Sequence, residues 1–163
     1  MRLTGYALLS VLTACTSDRR QAEAPRDSAF AAVQTRGAVA MGVDQYTSRH
    51  VFEPLPDGGR IELQRAVADS AGAAQIRAHM RSIAAAFAAG DFRLPGFVHD
   101  REVPGTAAMA ARRGSISYAV ESLPRGAALR LRTSDGIVVE AIHAFLAFQR
   151  QDHRAGAHPR SVH

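Results

Sequence analysis

The chain has 163 residues, 47% of them hydrophobic, and a formal charge of +5, which fits one domain with a core of ordinary proportions. Every basic residue is arginine, and neither lysine nor tryptophan occurs; this excludes a phosphate-loop lysine, a Schiff base and a Ser-Lys pair. The arginines are scattered instead of forming a stripe interleaved with aromatic residues, so nucleic acid is not an expected partner.

The N-terminal MRLTGYALLSVLTACTS places one arginine before a short apolar run from Tyr6 to Leu12, followed by small residues. This is the layout of a secretory signal, too short for a membrane-spanning helix. Its ending, Leu12-Thr13-Ala14-Cys15, resembles the lipobox of bacterial lipoprotein signal peptides, whose cysteine is diacylated and becomes the first residue after cleavage. The resemblance implies a signal peptide over residues 1–14, lipidation at Cys15 and a membrane partner reached through acyl chains. Thr16, not aspartate, follows the cysteine, which by resemblance to the enterobacterial sorting rule implies the outer membrane, facing the periplasm. With the single cysteine lipidated, neither a disulfide nor a thiolate nucleophile remains. The stretch 15–29 is polar, contains Pro25 and reads as a flexible tether. The folded domain is expected over 30–154, with 155–163 a disordered tail.

Two phrases repeat within the domain, LPDGGRIEL at 55–63 and LPRGAALRL at 123–131. Each follows a short alternating run and precedes a helical stretch, so the expected fold is α+β: a duplicated ββα unit forming a four-stranded antiparallel sheet with two helices on one face. A turn around Asp57-Gly58 keeps apolar residues together by pairing Pro54 with Ile61 and Phe52 with Leu63, which sets His50 opposite Arg65. The same arithmetic pairs Val120 with Leu131 and Tyr118 with Thr133, placing Tyr118 where the first half has His50. The first helix is expected from about Ser70 to Ala89, with Asp69 or Ser70 as N-cap, Gly90 as its stop and Ile76, Met80, Ile83 and Phe87 as its buried stripe. LPGFVHDREVPGTAAMAARR reads as an irregular connection with one short helix after Pro104. The second helix is expected from about Asp135 to Asp152, its stripe being Val138, Ile142, Phe145, Leu146 and Gln149.

No short-range metal spacing occurs: there is no HxH, no HExxH and no CxxC. A site must therefore assemble from separate elements. The register puts His50 on the inner face of the first hairpin, and helical periodicity puts His79 beside the stripe of the first helix. His153 continues the stripe of the second helix, while His143 lies about 100° from Ile142, toward the boundary. His99 can approach from the connection. Met41, Met80 and Met109 are available soft donors. Imidazole suits copper, zinc and haem, and thioether favours Cu(I). Catalytic signals are weaker. Ser115, Ser117 and Ser122 lack a nucleophile elbow, and the PDGG glycines read as a hairpin turn, not a phosphate cradle, because a strand follows.

From about Met41 onward the motifs MGVDQ, HVF, LPDGGRIEL, IRAHM, AAGDF, VHDREVPG and AIHAFLAFQ followed by QDH resemble an uncharacterised family of small bacterial proteins. Its members are sometimes named aspartate carbamoyltransferases; the carbamoyl phosphate site of that enzyme resembles a Ser-Thr-Arg-Thr loop, and this sequence contains none. The family pattern has histidines at the places of His50, His79, His99, His143 and His153 and a methionine at Met109. The resemblance thereby implies a ligand set that includes His143 and Met109. The expected function is that of a lipid-anchored periplasmic protein, leaning away from enzyme, that binds copper, zinc or haem through these residues. The alternatives are a metal-free interaction or assembly module and, behind it, a hydrolase or transferase using His99 with Asp100.

Overall fold

The computed structural model describes residues 14–42, 44 and 46–155, with side chains from Asp27 onward. The expected signal peptide before Ala14 and the tail beyond Ala155 lie outside the described residues, and Cys15 is described only as helical backbone. In chain order the elements are α1 (Ala14–Met41), β1 (Ser48–Leu55), β2 (Gly58–Arg65), α2 (Ser70–Ala88), α3 (Arg93–His99), α4 (Thr106–Ala111), a short 3-10 turn (Arg113–Ser115), β3 (Ser117–Leu123), β4 (Gly126–Arg132) and α5 (Gly136–Asp152). None of the described helices is long and apolar enough to cross a membrane.

The expected α+β architecture is present: one antiparallel sheet of order β1-β2-β4-β3, with α2 packed on β3 and β4 and α5 on β1 and β2. Each helix thus covers the hairpin of the other half. The repeat itself explains the arrangement. Ile61 and Leu129 are equivalent residues of the two phrases, and they face each other across the central β2–β4 pair. A pseudo-twofold axis therefore passes through that pair. Gly58 and Gly126 are likewise equivalent. A Cβ on Gly58 would collide with the carbonyl oxygen of Leu131, and one on Gly126 with that of Leu63, its symmetry counterpart. Only glycine lets the two central strands approach this closely at their ends.

The same glycines account for a correction to the hairpin registers. Phe52 pairs with Ile61 and His50 with Leu63, while Val120 pairs with Leu129 and Tyr118 with Leu131; each is two residues from the expected register. The turns centre on Pro56-Asp57 and Pro124-Arg125, with Gly58 and Gly126 already in their strands. The preset φ of proline suits the first central position of a tight turn. A shift of two preserves the face of every side chain, so His50 and Phe52 still point inward.

Both long helices begin where the sequence indicates. Asp69 accepts a hydrogen bond from the Gly72 amide and Asp135 one from the Ile137 amide, each satisfying an N-terminal donor. Mid-helix, α2 and α5 are fixed to the opposite hairpins by a symmetric pair of contacts. Arg77 of α2 donates to the carbonyl oxygens of Leu123 and Gly126 at 2.6 and 3.1 Å. His143 of α5, which aligns with Arg77, donates from Nε2 to the carbonyl of Leu55 at 2.9 Å. The core between sheet and helices is filled by Phe52, Leu63, Ile76, Met80, Phe87, Leu129, Leu131, Ile142, Phe145 and Leu146.

Two helices are additional to the expected set. The backbone is helical from Ala14 to Met41, through the stretch 15–29 that composition marks as a tether. From Val33 onward this helix packs on α3 and α2, burying Val33, Gln34 and Met41. The second is α3, whose Pro95 falls in the first turn, where its missing N–H has no intrahelical partner to lose. The expected short helix after Pro104 is α4.

Candidate functional site

Four histidines from four elements line one cavity of about 90 Å³: His50 of β1, His79 of α2, His99 at the end of α3 and His153 immediately after α5. The inward register supplies His50 and the flank of the apolar stripe supplies His79. Helix α5 ends at Asp152, with His153 as its C-cap residue. The remaining wall is almost wholly apolar, with Phe52, Ile61, Leu63, Ile83, Phe87, Leu94, Val98, Leu129 and Phe145 among its residues. Gly37, Ala40 and Met41 of α1 close one side, and Met80 adds a second thioether.

Three of the rings form a chain of contacts through His153. His50 stacks on His153 with centroids 5.0 Å apart, and His99 meets His153 edge-on at 5.1 Å. Burial pushes His50 and His79 down from 6.5 to about 4, with the charge of His79 adding to the effect on His50. Burial, then the neighbouring His50 and His99, pushes His153 down to about 3. An apolar wall disfavours the charged form of each ring, so these three are neutral bases near pH 7. His153 Nδ1 is buried and has no hydrogen-bond partner among the described residues.

His99 is held differently. Its Nδ1 donates to Asp152 Oδ2 at 2.5 Å, and its Nε2 lies 2.9 Å from the side-chain amide oxygen of Gln149. The other oxygen of Asp152 accepts from Arg101 at 2.5 Å, and Arg101 lies over the Phe148 ring at 4.7 Å. Both ring nitrogens of His99 are therefore engaged, and its orientation is set by α5. The sequence neighbour Asp100 is the expected partner of His99 in the enzymatic alternative. Asp100 is instead exposed and adopts a left-handed φ of 54° that closes α3. Asp152 is the carboxylate that takes its place. Asp152 directly precedes His153 in the QDH phrase, so the signal was present, but only the return of α5 to the end of α3 reveals it.

Two residues of the expected ligand set lie elsewhere. Met109 is wholly buried on α4, in the core against α5, and is absent from the cavity wall. His143 is committed to the Leu55 carbonyl in its role as counterpart of Arg77. Among the described residues, no three histidine, cysteine, aspartate or glutamate side chains are disposed as a ready-made metal cage. The imidazoles share a cavity, but a common ion would require their rings to turn toward it. Comparisons with protein-family models, with curated proteins and with solved structures each return no match.

Proposed function

We propose that this protein is a lipid-anchored envelope protein that takes up a transition-metal ion in the cavity lined by His50, His79, His99 and His153. The observation that carries this reading is the convergence of four imidazoles from four separate elements on one small cavity. Chance rarely aims four polar rings at the same apolar pocket, because each buried polar group lowers stability unless something satisfies it. Three of the rings are uncharged at neutral pH, the form that donates to a metal. The fourth, His99, is fixed in the wall beside them by Asp152 and Gln149. The proposed occupant is an ion, not haem. A cavity of about 90 Å³ is smaller than the roughly 150 Å³ that accommodates benzene.

The test is metal content after exposure of the purified full chain to copper or zinc and removal of excess. One ion per chain is expected. His153→Ala should abolish retention with the circular dichroism spectrum preserved, while Met109→Leu should retain the ion. A wild-type chain that keeps no stoichiometric metal would end this reading. The membrane assignment is tested separately: Cys15→Ser is expected to move the protein from the membrane to the soluble fraction, and unchanged fractionation would refute lipidation.

One observation favours a second reading, a metal-free interaction module. The strand positions that alternate with His50, Phe52, Tyr118 and Val120 form the other sheet face, and there the edge strands expose Arg49, Glu53, Ala119 and Glu121. A protein partner could cover it. Retention of a partner by the His153→Ala protein as fully as by wild type would favour this alternative.

A further inference from the structure

We infer that the cavity selects copper in its monovalent state, with the Met80 thioether joining His50, His79 and His153 as donors; this rests on the metal-binding reading above and specifies the ion.

The first argument is charge. The cavity wall contains no aspartate, glutamate or cysteine, so any ion enters with its charge uncompensated by an anionic donor. Solvation energy scales with the square of the charge, which makes a divalent ion about fourfold harder to desolvate here than a monovalent one of similar size. The nearest carboxylate, Asp152, does not relieve this. It is already shared between His99 and Arg101, and the guanidinium balances it.

The second argument is the kind of donor. Imidazole accommodates copper and zinc alike, but a neutral thioether adds affinity for Cu(I) and almost none for Zn(II). Met80 is 1% exposed, lines the same cavity as His79 and directly follows it on α2. A zinc ion held by three neutral imidazoles ordinarily keeps a polarised water in its fourth position. Such a water needs polar partners, and beyond the histidines the cavity wall offers one polar side chain, Gln149, whose amide oxygen already faces His99. A thioether fills that fourth position without introducing a group that needs hydrogen bonds.

The third argument separates the roles of the four rings. His99 has both nitrogens engaged, by Asp152 and Gln149, and serves as a wall that fixes the position of its neighbours. His153 carries the buried Nδ1 that has no partner among the described residues. That nitrogen is the one whose desolvation a soft cation would offset.

The test is an anaerobic competition titration of the full chain, Cys15 replaced by serine so that no thiol competes. Cu(I) is titrated against a chromophoric Cu(I) chelator and Zn(II) against a chromophoric zinc chelator. One Cu(I) per chain is expected, with zinc held far more weakly. Met80→Leu conserves volume and is expected to weaken Cu(I) by about 10- to 100-fold, the scale of losing one supporting group at a metal site, while leaving zinc unchanged. X-ray absorption of the Cu(I) complex should show one sulfur bound to copper, and that scatterer should vanish in Met80→Leu. Zinc bound as tightly as Cu(I), or a copper site without sulfur, overturns the selection of Cu(I) while leaving a metal site in place. Binding of neither ion removes both the selection and the metal reading beneath it.

Discussion

Acidification is expected to unfold the metal-free protein between about pH 6 and 4, well above the range in which ordinary carboxylates titrate. His50 and His79 are depressed to about 4 and His153 to about 3, from 6.5. In the unfolded chain all three take up protons as the pH falls through 6.5, whereas the folded chain refuses them until pH 4 or 3. The unfolded state therefore binds more protons throughout this window, and stability falls with decreasing pH. Each refused proton removes about 1.4 kcal/mol per pH unit, so three remove up to about 4 kcal/mol per unit. A domain of this size has about 5–15 kcal/mol in total, so one at the lower end of that range reaches its acid midpoint near pH 5. The depressed carboxylates Asp57, Asp69 and Asp135 act in the same direction but only below their ordinary value of 3.8, so their effect is separable by pH. Urea denaturation at pH 7.5, 6 and 5 measures the slope. Replacing His153 by Phe, beside the rings of Phe52 and His50, should remove about one proton from the slope and raise stability at pH 5 relative to wild type. Stability that stays level from pH 7.5 to 5 would show that the three rings are not buried as neutral bases.

The sheet and its two long helices were legible because the signals are local and repeated. Alternation marks the strands, the Leu-Pro turns mark the hairpins, and Asp69 and Asp135 mark the helix starts. The duplication also shows where to look for function, namely where the halves differ. Tyr118 occupies the place of His50, and Phe145 aligns with His79. The cavity histidines sit on the departures from symmetry, and the symmetric contact of Arg77 and His143 is structural. The register error had a physical origin: Gly58 and Gly126 read as turn glycines, whereas close approach of β2 and β4 requires them within strands. Helix α1 was missed because polar composition and Pro25 resemble a tether, and packing on α3 supplies stability that composition does not display. Asp152 was missed because its contact with His99 spans more than fifty residues, a distance at which sequence pattern carries no information about orientation.

Two glycine substitutions are expected to move stability in opposite directions, and together they test how α5 is held. Gly105 precedes α4 with φ 84° and ψ −22°. A Cβ there would lie 2.9 Å from the carbonyl carbon of Ala141, closer still to its oxygen, and 3.3 Å from the Phe145 amide nitrogen. The obstacle is the backbone of α5, which cannot rotate aside as a side chain can. Alanine at this position therefore meets left-handed strain of about 1–2 kcal/mol and overpacking of about 1–3 kcal/mol. A loss of about 2–5 kcal/mol is expected for Gly105→Ala, among the larger effects of a single methyl group. Gly136, the first residue of α5, has nothing within 4 Å of where its Cβ would stand. Alanine there lowers the entropy of the unfolded chain and favours helix, for a gain of about 0.5–1 kcal/mol. Shifts of the urea midpoint in opposite senses are the expected result. A Gly105→Ala protein as stable as wild type would mean that α4 is not seated on α5 as described. The seating matters for the cavity because α5 carries Gln149, Asp152 and His153 at its far end. An α5 released from α4 would lose the alignment of these groups with His50 and His99, and Gly105→Ala is therefore expected to weaken the metal retention proposed above even at temperatures where the chain remains folded.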